Sequence, residues 1–425
     1  MKKTLLQILI LALGGLLILT GCAGGGGDAK ETTKKTTEKA TEAQPTDEPT
    51  PPAFSLEELA LGGNDISRYR IVYARSPYHG IEQTYGGKIP HGELNFDQRS
   101  AERLAELIKS YFGVEIPVEE DRSTVTGSDY EILVGKTNRS QTSTIAIRNQ
   151  AAKNYVLKMD GSKLVVCGGS FGATWHAIDA LESRFEAAVA AEESTSVAVA
   201  SGEDLSGTAD LKVIACVGDS ITYGSTSTEP AEFSYPATMG RLMWQDYLVY
   251  NYGASGRHVC NGTSFPYLSC EDYQKCLANP MAYDLVLIML GTNDALNISS
   301  WGNAQKETFL TCAKTLVNSI KQRNQGAKFV FMNCPIYAYE SAAQFAAVRP
   351  LQKQVVKELY ADGVDISLYN MQEYTKQEMG SSLFPDGLHP ADEGYIKMAQ
   401  GVSALVRAVF SNSANPYLTP GAAVN

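Results

Sequence analysis

A serine in the middle of the chain has the sequence context of a nucleophile. Ser220 follows a short apolar run, residues 213–217, and that run stops at the turn Gly-Asp-Ser (218–220). Such a run predicts a strand buried on both faces, and a residue just after it lies at the carboxyl edge of a sheet. Ligands bind at that edge in open α/β folds, so we predict that Ser220 attacks a substrate there.

A histidine and an aspartate near the end of the chain could supply the base that this serine needs. A serine hydroxyl is a weak nucleophile at neutral pH unless a neighbouring base takes its proton. His389 lies in the sequence Asp-Gly-Leu-His-Pro (386–390). It follows a predicted strand-end loop late enough in the chain to face Ser220, and Asp386 would orient its ring. Activity should then fall on acidification, because a protonated imidazole cannot accept the serine proton.

The elements that position these residues alternate regularly between strand and helix. Apolar segments predict five buried strands, at 213–217, 248–252, 285–290, 329–333 and 364–368. Helical stretches such as 235–245 and 308–322 separate them, and a final helix is predicted over 390–410, with proline in its first turn. This alternation predicts a parallel sheet with helices on both faces.

Four short motifs follow four of the strands in order. They are Gly-Asp-Ser-Ile-Thr (218–222), Asn-Tyr-Gly-Ala-Ser-Gly (251–256), Gly-Thr-Asn-Asp (291–294) and Asp-Gly-Leu-His-Pro (386–390). Together they resemble the four blocks of the SGNH (GDSL-type) hydrolase family. The resemblance implies a flavodoxin-like, three-layer α/β/α fold with a five-stranded parallel sheet.

The same resemblance implies roles for individual residues. Ser220, His389 and Asp386 would be catalytic, and the oxyanion hole would consist of the backbone N–H groups of Ser220 and Gly253 and the side-chain amide of Asn293. No metal and no other cofactor is implied. The acidic residues beside two of the motifs, Asp219 and Asp294, are expected to fix loops by accepting hydrogen bonds.

Residues 54–204 predict a small α+β domain, here called the accessory domain, ahead of a hydrolase domain at 209–412. Strands are expected at 69–74, 131–134, 155–159 and 163–167, and the last two flank Asp-Gly (160–161), a strong hairpin sequence. Apolar faces predict helices around 101–112 and 171–185. The order of these elements resembles the N-terminal accessory domain of several polysaccharide hydrolases.

A second serine also matches a nucleophile motif. Residues 168–172 read Gly-Gly-Ser-Phe-Gly, the G-x-S-x-G pattern, between a predicted strand and a predicted helix. The strand before it is one arm of a tight hairpin, whereas the nucleophile turn belongs to a central parallel strand. We therefore predict that Ser170 caps the helix that begins at Phe171.

The N-terminal segment predicts export. Residues 1–22 combine Lys2 and Lys3 with an apolar run and end in Leu-Thr-Gly-Cys, which resembles the lipobox of bacterial lipoproteins. That resemblance implies acylation of Cys22 and a lipid anchor on the extracellular face of the bacterial cell membrane. An uncleaved membrane anchor or a plain signal peptide is the alternative. Residues 23–53 contain few apolar side chains and predict a disordered tether, and residues 413–425 predict a loose tail.

Charge and cysteine content exclude some classes of partner and site. The net charge is −11 with no basic stripe, so we expect no nucleic-acid partner. The seven cysteines beyond Cys22 show no metal-site spacing. Three of them lie in apolar, strand-like runs and are expected in cores: Cys167, Cys216 and Cys334. The sequence leaves open whether one disulfide forms within the loop-rich group of Cys260, Cys270 and Cys276.

These observations predict a membrane-tethered serine esterase that removes acetyl or similar small acyl groups from a carbohydrate. A lipid esterase or lysophospholipase of the same fold is one alternative, and a non-catalytic glycan-binding lipoprotein is another. The predicted loops 225–234, 257–269 and 297–303 are polar and contain no long apolar lid, which favours a saccharide ester. Their flanks offer aromatic rings that could either contact a sugar or simply anchor the loops: Tyr223, Phe233, Tyr235, Tyr267 and Trp301.

Overall fold

The computed structural model describes residues 60–75, 95–122, 130–190, 197–259, 265–335 and 343–424. The predicted signal segment, the lipidation site Cys22 and the tether lie outside the described residues. No helix in the described part of the chain is long and apolar enough to cross a membrane.

The accessory domain is built on a mixed six-stranded sheet and a small three-stranded one. The strands are β1 (Ala60–Leu61), β2 (Asn64–Asp65), β3 (Arg70–Tyr73), β4 (Val118–Glu120), β5 (Glu131–Val134), β6 (Asn154–Asp160), β7 (Lys163–Gly168), β8 (Val197–Val199) and β9 (Gly207–Thr208). The larger sheet has the order β4-β3-β5-β7-β6-β9, with β4, β3, β5 and β7 parallel and β6 and β9 antiparallel. The predicted hairpin is confirmed, because β6 and β7 pair from Tyr155 with Gly168 to Asp160 with Lys163.

Helices cover both faces of this sheet. They are α1 (Phe96–Phe112), α2 (Ser140–Ser143), α3 (Ile145–Arg148) and α4 (Phe171–Ala190). Helices α1 and α4 pack their apolar sides on one face, through residues such as Leu104 and Leu181, as their 3.6-residue spacing predicts. Ile147 of α3 packs on the other face against Val165. Helix α1 begins where the Asn95 side chain accepts a hydrogen bond from the backbone of Gln98.

The hydrolase domain contains a second six-stranded sheet. Its strands are β10 (Lys212–Gly218), β11 (Tyr247–Gly253), β12 (Leu285–Met289), β13 (Lys328–Met332), β14 (Ile366–Tyr369) and β15 (Leu418–Pro420). The order is β11-β10-β12-β13-β14-β15, and the first five strands of this order are parallel. The predicted five-stranded parallel sheet is therefore confirmed, with the strand order of a flavodoxin-like fold.

The last strand corrects the prediction of a loose C-terminal tail. Residues 418–420 form β15, which pairs antiparallel with β14 from Tyr369 opposite Leu418 to Ser367 opposite Pro420. The segment was hard to identify because it has only three paired residues and includes a proline. Proline is tolerated at that position because β15 is the edge strand of the sheet.

Helices on both faces complete the three layers. They are α5 (Ser220–Tyr223), α6 (Pro230–Phe233), α7 (Tyr235–Leu242), α8 (Glu271–Ala278), α9 (Thr292–Asn297), α10 (Asn303–Arg323), α11 (Ala343–Ala361), α12 (Met371–Glu378) and α13 (Asp392–Ser411). Alternate residues of β10 face opposite sides: Val213 joins the core under α10 and α11, whereas Ile214 joins the core under α7 and α13. The predicted final helix exists but begins at Asp392, so Pro390 precedes its first turn.

The cysteines of the described residues are buried, and none of them is in a disulfide. Cys167, Cys216 and Cys334 lie in the cores, which confirms their predicted role. Cys270 and Cys276 are also free thiols, so they are not bridged to each other. Cys260, the third member of the group considered for a disulfide, lies outside the described residues.

The two sheets are joined by close packing around Trp244, which lies between α7 and β11. Its ring centroid is 4.8 Å from that of Phe96 and 5.2 Å from that of Trp175, both in the accessory domain. A Cβ atom placed on Gly172 of α4 would lie 2.7 Å from the carbonyl oxygen of Trp244 and 2.9 Å from Leu211. Only glycine allows α4 to approach the hydrolase domain this closely.

Candidate active site

Three adjacent strands bring the predicted site residues to the same edge of the hydrolase sheet. Ser220 is the first residue of α5, two positions beyond the end of β10. Gly253 is the last residue of β11 and pairs with Gly218, and Asn293 lies in the first turn of α9, after β12. His389 comes from the loop that precedes α13. The sites predicted from separate motifs therefore lie at one carboxyl edge, as the fold requires.

Ser220, His389 and Asp386 form a continuous hydrogen-bonded line. The Oγ of Ser220 lies 2.8 Å from Nε2 of His389, and Nδ1 of His389 lies 2.7 Å from Oδ2 of Asp386. An ionised carboxylate only accepts hydrogen bonds, so Nδ1 carries the proton of the neutral ring. Nε2 is then an acceptor for the Ser220 hydroxyl, and the arrangement can remove the serine proton.

The Asp386 carboxylate is held ionised by the loop around it. Its other oxygen, Oδ1, accepts hydrogen bonds from the backbone N–H groups of Leu388 and His389, at 2.9 and 2.7 Å. Burial opposes ionisation, but these bonds and the bond from the His389 ring outweigh it and hold the pKa of Asp386 below its usual range. The loop thereby fixes both the charge of Asp386 and the orientation of the ring.

Asp219 and Asp294 accept hydrogen bonds from loops, as predicted. Oδ1 of Asp219 accepts from the backbone of Ile221, 3.1 Å away, and caps α5, the helix that carries Ser220. Oδ2 of Asp294 accepts from the backbone of Val259, 2.9 Å away, in the loop after β11. Both carboxyl groups are fully buried, and burial raises the pKa of Asp219 to about 6.

The two further donors of the predicted oxyanion hole already make hydrogen bonds. The N–H of Gly253 donates to Oδ1 of Asn251 at 2.8 Å, and Nδ2 of Asn293 donates to the carbonyl of Arg257 at 3.0 Å. A side-chain amide carries two N–H bonds, so Nδ2 of Asn293 can donate to two acceptors. Gly253 has a clear packing role, because a Cβ there would lie 2.1 Å from the backbone nitrogen of Tyr223. The oxyanion role of these residues stays a prediction.

A set of contacts missed by the sequence analysis ties the loop after Ser220 to the loop that holds His389. The Oγ1 of Thr226 donates to the carbonyl of Pro390 at 2.8 Å, and Tyr395 donates to the carbonyl of Ser225 at 2.8 Å. Asp392 accepts from both the backbone and the side chain of Thr228, at 2.8 and 2.7 Å. We call these contacts the loop clamp. In the sequence, these contacts correspond to threonines in a loop and an aspartate in the first turn of a helix. Nothing in that pattern indicates which of these residues meet.

Ser170, the serine of the second G-x-S-x-G sequence, lies outside this site. Its Oγ donates to the carbonyl of Ala152 at 2.6 Å and accepts from the backbone of Ala173 at 3.2 Å, so the predicted capping role is confirmed. The reason given for it was incomplete, because β7 pairs parallel with β5 as well as antiparallel with β6. Ser170 is 3% exposed and its Oγ bonds to backbone groups, which suits a structural residue.

The aromatic residues predicted to face a sugar are mostly structural. Tyr235 and Tyr267 are fully buried, which makes that prediction wrong for both. Trp301 packs on the core beside Phe309, with ring centroids 6.1 Å apart. Only Tyr223 of the predicted set is largely exposed, at 47%. Sequence position near a motif does not distinguish a ring that anchors a loop from one that contacts solvent.

No group of three or more His, Cys, Asp or Glu side chains within the described ranges is placed to hold a metal ion. One thiol, that of Cys334, accepts a hydrogen bond from Thr292, the neighbour of Asn293, 2.7 Å away. Burial raises the pKa of that thiol well above its usual range, so it does not compete with Ser220 as a nucleophile.

Part of this chain is similar to known esterases. An acetylxylan esterase of Xylanibacter ruminicola is 26% identical over 214 residues, which are 46% of this chain and 43% of that protein. The chain therefore matches less than half the length of this curated relative.

Solved structures are similar to about half of the chain. A family two carbohydrate esterase from Clostridium thermocellum, in complex with cellohexaose, is 21% identical with a TM-score of 0.36 and covers 49% of this chain and 68% of its own. A carbohydrate acetylesterase family member from Sinorhizobium meliloti is 19% identical with a TM-score of 0.36, covering 47% and 100%. The resemblance of the accessory domain to those of polysaccharide hydrolases stays a prediction.

The family model of the GDSL-like lipase/acylhydrolases matches residues 216–396, which include every predicted catalytic and oxyanion residue. Residues 216–396 therefore form a GDSL-like lipase/acylhydrolase domain in the C-terminal half of this chain.

Proposed function

We propose that this chain is a serine esterase that removes acetyl or similar small acyl groups from a carbohydrate. The observation that carries the proposal is the line from Ser220 through His389 to Asp386, with contacts of 2.8 and 2.7 Å at the carboxyl edge of the sheet. The GDSL-like domain supports ester hydrolysis, and the similarity to an acetylxylan esterase supports an acetylated saccharide as the substrate class.

In the proposed reaction, Oγ of Ser220 attacks the ester carbonyl carbon while Nε2 of His389 takes the hydroxyl proton. Asp386 stabilises the imidazolium that forms. His389 then returns the proton to the sugar oxygen as the C–O bond of the ester breaks, which leaves an acyl-serine. A water molecule, deprotonated by the same ring, attacks this ester, and the acid leaves as Ser220 regains its proton.

The tetrahedral intermediates would be stabilised by N–H donors at the edge of the sheet. We assign this role to the backbone of Ser220, the backbone of Gly253 and the amide of Asn293. The N–H of Gly253 must then leave or share its bond to Asn251, which is 2.8 Å long. Asn251 is therefore a positioning residue for this donor in the proposed mechanism.

Substitution of the triad tests the assignment. Ser220→Ala and His389→Ala should each remove nearly all of the catalytic advantage, and the double variant should be no worse, since the two residues act as one unit. Asn293→Ala should lose about 10²- to 10³-fold in kcat. A fluorophosphonate should label the unsubstituted chain and not Ser220→Ala, with Ser170→Ala as the matched control that still reacts. Full activity in Ser220→Ala would refute the site, and a chain that is never labelled would favour a non-catalytic glycan-binding protein.

An acyl-chain series tests the substrate class. We expect kcat/KM to be highest for acetyl esters, and acetate to be released from acetylated oligosaccharides. A lipid esterase would instead gain up to about 0.8 kcal/mol for each buried CH₂ group. A steady rise from acetyl to decanoyl esters, together with no acetate release from any saccharide, would replace the carbohydrate proposal with the lipid one.

We also propose that the domain is held at the extracellular face of a bacterial membrane by a lipid on Cys22. The support is the lipobox-like ending of an apolar N-terminal run. Growth with a clickable palmitate should label the full chain, and Cys22→Ala should remove the label. Equal labelling of the two forms would contradict an anchor at this residue.

A further inference from the structure

Two cavities lie beside one another at the outer strand of the hydrolase sheet. The smaller, of about 290 Å³, begins at Gly253 and at Tyr223, the last residue of the helix that starts with Ser220, and it also contains Asn251 and Asp272. The larger, of about 720 Å³, contains Asn251 and Asp272 as well, so the two cavities meet at these residues. The two adjacent cavities, here called the interdomain cleft, extend away from Gly253, a donor of the proposed oxyanion hole.

The far wall of the larger cavity belongs to the accessory domain. Residues 149–152, here called the accessory loop, face Tyr250 of β11 and the C-terminal end of α8 across the cavity. Strand β11 rises about 3.3 Å per residue, so the distance along it from Gly253 to Tyr250 is about 10 Å. A ligand that filled both cavities would be much longer than an acetyl group.

The accessory loop is held rigidly in this position. The carbonyl of Ala152 accepts from Ser170 at 2.6 Å, and Nε2 of Gln150 donates to the carbonyl of Cys167 at 2.8 Å. A Cβ on Gly169 would lie 2.0 Å from the carbonyl oxygen of Ala151, so only glycine fits behind the loop. The Gly-Gly-Ser-Phe-Gly sequence thus builds a wall of the cleft. A preformed wall costs a ligand little ordering entropy.

The lining chemistry suits a hydroxylated chain. Four side-chain amides line the two cavities, those of Asn149, Gln150, Asn251 and Asn279, and Asp272 and Lys275 add charges of both signs. Amides donate and accept hydrogen bonds, as sugar hydroxyls do. The amides of Gln150, Asn251 and Asn279 already bond within the chain, but a side-chain amide has two N–H bonds and an oxygen with two lone pairs, so each can make further bonds to a hydroxylated ligand. Tyr250 adds a half-buried ring to the floor of the cleft.

We propose that this interdomain cleft is an extended saccharide-binding subsite, in which the accessory loop binds sugar units remote from the acyl ester that reacts at Ser220. The proposal rests on the proposed esterase function for its substrate class. It assigns the accessory domain a direct role in substrate binding.

Bulky substitutions on the two walls test the subsite. Ala151 and Ala278 are exposed on opposite sides of the larger cavity, so Ala151→Trp and Ala278→Trp should each obstruct it. Ala146→Trp, on an exposed residue of α3 outside the lining, is the matched control. For each variant we would measure kcat/KM on 4-nitrophenyl acetate and on acetylated xylo-oligosaccharides from the disaccharide to the hexasaccharide.

The unsubstituted chain should prefer longer oligosaccharides. Each cleft variant should lower the ratio of the hexasaccharide to the small-ester kcat/KM about tenfold, whereas Ala146→Trp should keep the ratio. The subsite would be overturned if both cleft variants kept the ratio, or if kcat/KM of the unsubstituted chain did not depend on the length of the oligosaccharide. Either result would leave the esterase proposal intact.

Binding without turnover separates this inference from the proposed function. In the Ser220→Ala chain, calorimetry with xylohexaose should show binding that Ala151→Trp removes. Should the wild-type chain hydrolyse no ester, the proposed function fails, and this binding experiment still decides whether the cleft holds a saccharide. No binding of xylohexaose to Ser220→Ala would refute the cleft as a subsite for this class of chain.

Discussion

Asp219 carries a carboxyl group at a position that penalises its charge. It is fully buried below Ser220, and burial raises its pKa to about 6. A group whose pKa is raised on folding contributes its stability below its unfolded pKa, about 3.9, and loses that contribution as the pH rises through about 6. The ionised form is therefore a cost to the fold at neutral pH, retained beside the proposed nucleophile.

Replacing Asp219 with asparagine should remove that cost. An asparagine oxygen can still cap α5 by accepting from Ile221. We expect Asp219→Asn to be more stable than the unsubstituted chain at pH 8, by an amount on the order of 2 kcal/mol, and about equal to it at pH 4. Urea unfolding at the two pH values measures this difference. Asp362→Asn, at an exposed carboxyl, is the control, and an Asp219→Asn effect of equal size at both pH values would contradict the charge argument.

The two oxygens of Asp392, the first residue of α13, accept hydrogen bonds from Thr228. The loop clamp thereby joins the segment after Ser220 to Pro390 and to the start of α13, a few residues beyond His389. Losing this contact lets the two loops separate, and small misplacements of reacting groups are costly.

We expect Asp392→Ala to lower kcat about tenfold with little change in KM. The rate of fluorophosphonate labelling should fall in parallel, because that reaction depends on the Ser220–His389 geometry. Asp392→Asn keeps an acceptor for the backbone of Thr228 and should retain most of the rate. A loss of thermal stability in Asp392→Ala with unchanged labelling would show that the contact is only structural.

At the scale of elements, sequence periodicity predicted which side of each strand and helix is buried against the core. The alternation in β10 and the apolar face of α4 are local patterns that report burial directly. The ends were less predictable: α7 stops at Leu242 and α13 begins at Asp392, since capping contacts and loop hydrogen bonds decide them. Strand β15 was missed because three residues hold too little pattern, and its pairing comes from β14.

The start of β5 carries a buried charge that links three parts of the accessory domain. Glu131 is fully buried and contacts Arg70 at 2.7 Å, Arg139 at 3.1 Å and Lys163 at 2.6 Å. Burial opposes its ionisation, but the hydrogen bonds from Arg139, Lys163 and Arg70 outweigh this and lower the pKa of Glu131 to about 2. Because folding lowers this pKa, the ionised Glu131 carboxylate contributes its full stabilisation of the fold above the unfolded pKa of about 4.3. That contribution is lost as the pH falls towards 2.

Glu131→Gln should therefore destabilise the chain strongly at neutral pH and less in acid. Removing one partner leaves Arg139, which is 4% exposed, without its counter-charge, and such losses cost about 3–5 kcal/mol. The stability difference from the unsubstituted chain should shrink between pH 5 and pH 2.5. Guanidinium unfolding across this range measures it. Glu115→Gln, which breaks an exposed pair with Lys109, should change stability little, and a pH-independent loss in Glu131→Gln would contradict the account.

At the scale of the whole molecule, the sequence predicted that the four motifs meet at one edge of a sheet, but not how the accessory and hydrolase domains meet. The triad could be predicted because each motif follows a strand and the sheet brings those ends together. The interface depends on Trp244 meeting Phe96 and Trp175, and on Gly172 meeting the backbone beside Trp244. These contacts join residues about 70 to 150 positions apart along the chain, and no local period encodes them.

Because Trp244 fills the junction, its loss should uncouple the two domains. We expect Trp244→Ala to lower the free energy of unfolding by about 3 kcal/mol, the usual cost of truncating a large packed aromatic. Calorimetry should then resolve two transitions where the unsubstituted chain shows one, since cooperativity depends on the shared packing. Gly172→Ala should act in the same direction, because its Cβ would lie 2.7 Å from the carbonyl of Trp244.

The matched control is Trp301→Ala, which removes a tryptophan packed within the hydrolase core beside Phe309. It should lower stability without splitting the transition, because Trp301 and Phe309 belong to the same domain. The same two variants also test the interdomain cleft. In the Ser220→Ala background, Trp244→Ala should weaken xylohexaose binding, whereas Trp301→Ala should not. The reason is that only Trp244→Ala releases the domain that carries the accessory loop. A single calorimetric transition in Trp244→Ala, with xylohexaose binding unchanged, would mean that other contacts align the two walls of the cleft.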